Sequence, residues 1–423
     1  MLGSVTKNIV ILGAGSGGTM VANRLRRIHP AGDVRITVVD QDDRHLYQPN
    51  LLFVPFGLAD SGKMARSRKD QLHRGIELLH AVVERVEVAD NRVVLADDRT
   101  LAYDVLVVAT GATLVPEETD GLVGPGWMER VFTFYTLAGA TALADALAGF
   151  DEGRLVVNVV DMPIKCPVAP LEFCFLADAF FHKRGVRDKV KITYVTPLDG
   201  AFTKPVSSKI LGALLHEKGV EVITEFNTGT VDGAAGQLIG YDGRRVDFDL
   251  AVVVPLHGGA QYVSRSPGLG DEVNFIPTDD HTLQSRVRPN VFVIGDAAGV
   301  PASKAGSVVH FEAETVCSNV GRFLAGKAPV ASFDGHANCF IETGFGKALL
   351  IDFNYQTEPL PGHFPSRIGL PLLKQSRLNH IGKLMFQWMY WHVLLPGRDI
   401  PGLSSTMPRS GKKLSRSNME VPL

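Results

Sequence analysis

The sequence holds no run of the roughly 18 to 20 apolar residues that a spanning helix needs, so no helical membrane crossing is expected. Cysteine is scarce. Cys166, Cys174, Cys317 and Cys339 are the only four in 423 residues, and none stands in C-x-x-C spacing. That is too few for a disulfide scaffold and the wrong spacing for a zinc ribbon, so no metal centre is expected. Charge of one sign is not in excess either. A net charge of -2 with 21% charged residues argues against a general nucleic-acid binder. The first residues run almost directly into a strand, without a basic stretch followed by a cleavable apolar segment. A cytoplasmic chain is therefore expected, and in that compartment a reactive cysteine pair is more often catalytic than structural.

What is present is a strand–turn–helix with a glycine-rich turn. "KNIVILGAGSGGTMVANRLRRI" reads as a buried strand, a glycine turn and a helix, with Gly13, Gly15 and Gly18 in G-x-G-x-x-G spacing. The first glycine permits the tight turn, the second lets the backbone approach a pyrophosphate, and the third lets helix and strand pack closely. The helix N-terminus then offers N–H groups and a partial positive charge to the phosphates. "VRITVVD" ends in Asp40, placed for a ribose hydroxyl. Two later strands, "YDVLVVATGA" and "PNVFVIGDAAG", end in Ala109-Thr110-Gly111 and Gly295-Asp296. They resemble the distal signatures of the flavoproteins that carry two dinucleotide domains, a resemblance that implies FAD.

Between those segments, residues 154–255 repeat the strand–loop–helix–strand order. Here the fingerprint is missing. The loop after "RLVVNVV" is Asp161-Met162-Pro163-Ile164-Lys165-Cys166-Pro167, without a glycine. Its side chains and two prolines would obstruct the backbone approach that a pyrophosphate requires. The expected fold is α/β: two Rossmann-like dinucleotide-binding-type domains, the second lacking a nucleotide fingerprint, plus a C-terminal amphipathic helical membrane anchor. The expected division is 1–115 for the first part of the FAD domain and 116–260 for the second domain. Residues 261–330 are expected to return to the first domain, and 331–423 to form the C-terminal region with Cys339 and the amphipathic anchor.

"PIKCPVAPLEF" and "NCFIETGFGKALLIDFNY" are similar to the two cysteine segments of the sulfide:quinone oxidoreductases, and "YQPNLLFVPFG" and the aromatic C-terminus also fit. The resemblance implies sulfide oxidation at a Cys166/Cys339 pair, with electrons passing through FAD to ubiquinone or menaquinone. Two cysteines are the minimum for a cycle of thiolate exchange that takes two electrons and retains sulfur. Which of them faces the flavin stays open. So does covalent attachment of FAD, because the further cysteine found upstream in many members has no counterpart before residue 166. Glu172 matches a position given to proton handling, with a helix N-terminal carboxylate as the plain alternative. Lys165 could lower the Cys166 pKa. Lys304 could offset charge on reduced flavin. Phe340 matches a quinone-contacting position, with Phe345 and Phe386 as weaker candidates. Cys174 and Cys317 lie in helix-like segments and read as core. No histidine occurs between 182 and 216, so the proton-relay histidine of some members has no evident match.

Residues 367–397 supply an amphipathic pattern. Ile381, Leu384, Met385, Trp388 and Met389 recur at helical spacing, while Arg377, His380, Lys383 and Gln387 lie on other faces. With Tyr390 and Trp391, the segment reads as an interfacial helix with aromatic anchors. Arg409, Lys412, Lys413 and Arg416 could attract anionic headgroups. The expected setting is a peripheral, monotopic protein on the cytoplasmic face of the cytoplasmic membrane, in contact with lipid and forming a homo-oligomer. Three rivals remain: a type II NADH:quinone oxidoreductase, the flavoprotein subunit of a cytochrome-linked sulfide dehydrogenase, and a non-catalytic FAD-binding sulfur carrier or redox sensor.

Overall fold

The computed structural model describes residues 6–400 and 404–413. The elements that position the cleft are β1 (Lys7–Leu12), α1 (Ser16–Ile28), β2 (Val34–Asp40), β3 (Ile76–His80) and β4 (Val105–Val108). They are followed by β5 (Val131–Phe132), β6 (Gly153–Val159), α2 (Ala169–Arg184), β7 (Val190–Val195), β8 (Glu221–Ile223) and β9 (Leu250–Val254). Then come β10 (Val291–Val293), α3 (Gly306–Leu324), β11 (Ala337–Gly344), β12 (Lys347–Phe353) and α4 (Arg377–Met389).

Two five-stranded parallel sheets carry the chain, in the orders β10-β4-β1-β2-β3 and β5-β9-β6-β7-β8. Their central strands read as apolar runs, "IVIL" and "LVVNV" with Asn158 the one polar residue, because both faces of a parallel sheet are covered. In each sheet the strand order reverses at the centre, so a crevice opens beyond the carboxyl end of β1 and of β6. β10 returns to the first sheet after the whole second sheet is complete, bringing Gly295-Asp296 beside the β1 turn. The hairpin β11–β12 pairs Cys339 with Ile351 and packs against α2 and α4. That packing brings the two cysteine segments, distant in sequence, to one place.

α4 is built the wrong way round for a surface helix. Its apolar residues Leu378, Ile381, Leu384, Met385 and Trp388 are each at least half exposed, while His380, Lys383 and Gln387 turn inward. No helix among the described residues is long and apolar enough to cross a membrane.

Three expectations for this end of the chain need correction. Tyr390 and Trp391 are buried rather than interfacial, because the chain widens into a π-turn over Tyr390–Leu394 and both rings pack onto the first domain. There the Tyr390 hydroxyl lies 2.6 Å from both Ser16 Oγ and His45 Nε2, and Arg66 stacks over Trp391. Lys412 is a fully buried partner of Asp352, at 2.5 Å, and so is withdrawn from any headgroup. Arg409 is exposed, and Arg416 lies outside the described residues.

Candidate active site

One cleft of about 1260 Å³ runs from the β1 turn, past the ends of β4 and β10, to the inner face of α4. Gly13, Gly15, Asp40, Ala109, Thr110, Gly111, Gly295, Asp296 and Lys304 line it, together with Cys166, Glu172, Cys339, Phe340 and Phe386. Gly18 lies behind the wall, and Phe345 does not reach the cleft at all. The β11–β12 turn runs Gly344-Phe345-Gly346 with Phe345 at φ +53°, which carries the ring to an exposed tip beside Lys218 and His182.

At the nucleotide end the three glycines do different work. Gly13 has φ +94°, and a Cβ there would stand 2.5 Å from the Ala109 carbonyl oxygen. At Gly18 a Cβ would overlap the Gly13 carbonyl oxygen. At Gly15 it would meet nothing within 4 Å, because that position opens onto the cleft. α1 has no side-chain cap, and its first internal bond runs from Thr19 N–H to Gly15 O. The N–H groups of Ser16, Gly17 and Gly18 are the unpaired donors of a helix start. Asp40 is oriented in advance: its Oδ2 accepts from Ala14 N–H at 2.6 Å and pairs with Arg68 at 3.0 Å. These features fit the pyrophosphate and ribose of a dinucleotide.

The second turn has been closed from within. Ala169 donates its N–H to the Cys166 carbonyl at 2.9 Å, and Pro170 has none to give. Cys166 is held at φ +49°, an uncommon conformation for a residue with a Cβ, and its N–H donates to Lys304 O at 2.6 Å. The Tyr135 hydroxyl donates to the Cys166 carbonyl at 3.3 Å. Several contacts therefore hold one strained residue, the circumstance under which strain persists at functional sites.

Burial pushes the Cys166 thiol up to about 12, with Glu172 adding to the rise and Lys383 opposing it. Cys339 is raised further by burial, then by the charges of Cys166 and Glu172; Lys383 acts the other way. Ser307 opens α3 and donates to Asn338 O at 2.6 Å, so the helix start fixes the strand beside Cys339. The cation that favours the thiolate is thus Lys383, from the far end of the chain. The neighbouring Lys165 is itself disfavoured as an ammonium by burial and leans first on Asp296.

Glu172 is buried and caps nothing. Its Oε1 accepts from Glu342 N–H at 2.7 Å and forms an ion pair with Lys383, which also donates to Phe340 O at 3.3 Å. Burial raises the Glu172 pKa against the pull of Lys383. For Lys383 burial works toward discharge, and Glu172 with Glu342 outweighs it, so the ammonium is retained. Glu342 in turn accepts from His380 Nδ1, at 2.9 and 3.0 Å. Lys304 is differently engaged: its ammonium donates to the carbonyls of Asp296 and Ala298, at 2.8 and 3.0 Å. Cys174 and Cys317 are buried in the core.

The sequence reading passed over Lys383, Glu342 and His380. A signal existed: His380, Lys383 and Gln387 recur at spacings of three and four along an otherwise apolar helix.

Residues 7–158 match the model of the pyridine nucleotide-disulphide oxidoreductase family. The chain is similar over nearly its whole length to proteins named sulfide:quinone oxidoreductase. It is 26% identical to the mitochondrial one of Mus musculus, covering 92% of this chain and 86% of that one. To the mitochondrial one of Dictyostelium discoideum it is 27% identical, covering 94% and 87%. Among solved structures, the sulfide:quinone oxidoreductase of Aquifex aeolicus superposes with a TM-score of 0.79 at 19% identity, covering 93% of this chain and 92% of the other.

Proposed function

We propose that the protein is a flavin-dependent sulfide:quinone oxidoreductase that uses Cys166 and Cys339 as its redox pair. The observation that carries this reading is the shared cleft. Two cysteines from distant segments face the same space as an intact dinucleotide turn, while the second turn is closed by the loop that holds Cys166. The type II NADH dehydrogenase reading needs that second turn open, so it is not favoured.

Gly13, Gly15, Gly18 and Asp40 would hold the pyrophosphate and ribose of FAD, with residues 109–111, Gly295 and Asp296 along its length, and its isoalloxazine would supply the two-electron relay between sulfur and quinone. The chain does the rest. Hydrosulfide attacks the sulfur held at Cys166 in a bridge to Cys339, which leaves the incoming sulfur on Cys166 and displaces the Cys339 thiolate. Lys383 favours that thiolate. Glu172, buried and raised, takes the proton that the sulfide sulfur gives up. The whole reaction balances as HS⁻ + quinone + H⁺ → S⁰ + quinol.

Phe340 and Phe386 line the cleft where it meets α4 and would flank the quinone ring. Gly382 makes room, since a Cβ there would stand 3.0 Å from the Phe340 ring. The outward face of α4, with Ile381, Leu384, Met385 and Trp388, would lie in the lipid interface as a monotopic contact. Domain boundaries near 115, 260 and 330, the cytoplasmic face and a homo-oligomer complete the proposal. The test is anaerobic absorbance of the detergent-solubilised protein. Sulfide should bleach the flavin and a soluble quinone analogue should restore it. Bleaching by NADH alone would replace this reading with the NADH dehydrogenase.

A further inference from the structure

Reduction of a quinone takes two protons, and oxidation of hydrosulfide releases one. The second must come from bulk water and reach the quinone end of the cleft. Charge counting at that end points to where it is held. Two carboxylates are buried there, Glu172 from α2 and Glu342 from β11, each with a side chain only 2% exposed. One ammonium, Lys383 from α4, joins them, and it sits on Glu172. A buried carboxylate also needs hydrogen-bond donors on its oxygens. The group in contact with it is His380, one turn of α4 before Lys383.

We propose that His380, oriented by Glu342, is the residue through which the bulk proton enters the quinone end of the cleft; this rests on the sulfide:quinone reading above. The geometry suits the task. Nδ1 faces both Glu342 oxygens, which fixes the ring and makes Nδ1 the donor. Nε2 has no hydrogen-bond partner among the described residues and is not enclosed. The side chain is 27% exposed and also lines the cleft, so one imidazole touches both water and the space beside Phe340 and Phe386. The two protons thereby take separate routes. The one released by sulfide passes to Glu172 beside the cysteines, and the one from water passes through His380. Each transfer gives H⁺ from imidazolium Nε2 to a quinone oxygen as two electrons arrive, and water restores it.

The experiment is anaerobic rapid mixing of the flavin-loaded, detergent-solubilised protein with His380→Gln and Glu342→Gln variants. Sulfide should reduce the flavin of His380→Gln at the wild-type rate. Reoxidation by a short-chain ubiquinone analogue should slow by about tenfold to a hundredfold, at or below the lower end of general acid catalysis because water can partly substitute. Reoxidation by ferricyanide, which takes electrons without protons, should be unchanged, and imidazole should partly restore the quinone rate of His380→Ala. A wild-type quinone rate in His380→Gln would overturn the inference. Equal slowing with quinone and ferricyanide would also overturn it, because the residue would then be structural. Absence of sulfide bleaching in the wild type would overturn the sulfide reading, and this inference with it.

Discussion

The β1–α1 turn and the β6–α2 turn occupy the same place beside the central strand of two parallel sheets, yet they treat the helix start in opposite ways. In the first, a cap without a side chain leaves the N–H groups of Ser16 and Gly17 at a cleft, and Gly15 has empty space where a Cβ would be. In the second, Ala169 gives its N–H to Cys166 and Pro170 removes another. One donor that could bind an anion is spent on holding a cysteine, and another is absent. One backbone plan thus serves either to receive a phosphate or to present a sulfur atom, and the difference lies in who satisfies the first turn of the helix.

The largest effect should come from the sulfur side. Cys166→Ser and Cys339→Ser are each expected to cut sulfide-driven flavin reduction by a factor of about 10³ or more, in the range seen when one member of a concerted set is lost. FAD should stay bound, as flavin absorbance after gel filtration would show. Wild-type rates in both variants would end the mechanism. Next is the cation that serves this turn from a distance. Lys383→Met strands Glu172 among buried groups, and breaking such a pair costs about 3 kcal/mol or more. Chemical denaturation should show that loss, and Lys383→Arg should recover most of it.

The nucleotide side can be broken more selectively. Gly15 has φ -75°, a value any residue adopts, and open space around it. Gly15→Val should therefore leave the flavin-free protein as stable as wild type while weakening FAD by about a hundredfold, or ~2.7 kcal/mol. Gly18→Ala should do the reverse in part, because its Cβ would collide with the Gly13 backbone and lower stability before any ligand is added. Equal denaturation midpoints for the two flavin-free variants would contradict this separation.

What could be read from the sequence follows from how local each feature is. Gly13, Gly15, Gly18 and Asp40 sit within one strand–turn–helix–strand unit, where spacing reports the geometry directly. The closed second turn was equally visible, because proline and the lack of glycine act on their own backbone. Lys383 was not, since its role depends on α4 presenting its polar face inward, and helical periodicity is the same whichever face is buried. Phe345 misled for the opposite reason: it lies close to Cys339 in sequence, but a hairpin turn separates them in space. Tyr390 and Trp391 continued an apolar helical pattern that the π-turn breaks.

The smallest expected effect is the most discriminating for the comparison itself. Pro170→Ala returns one N–H to the start of α2, yet the Cys166 carbonyl still takes the Ala169 donor, and the loop still lacks glycine. If the second turn is closed by its whole loop, restoring one donor creates no site. The variant should remain unbleached by NADH and lose only about 0.5 to 1 kcal/mol, from the added freedom of the unfolded chain. NADH-driven bleaching in Pro170→Ala would mean that a single proline is the barrier, and that the cysteine loop and a nucleotide can share one helix start.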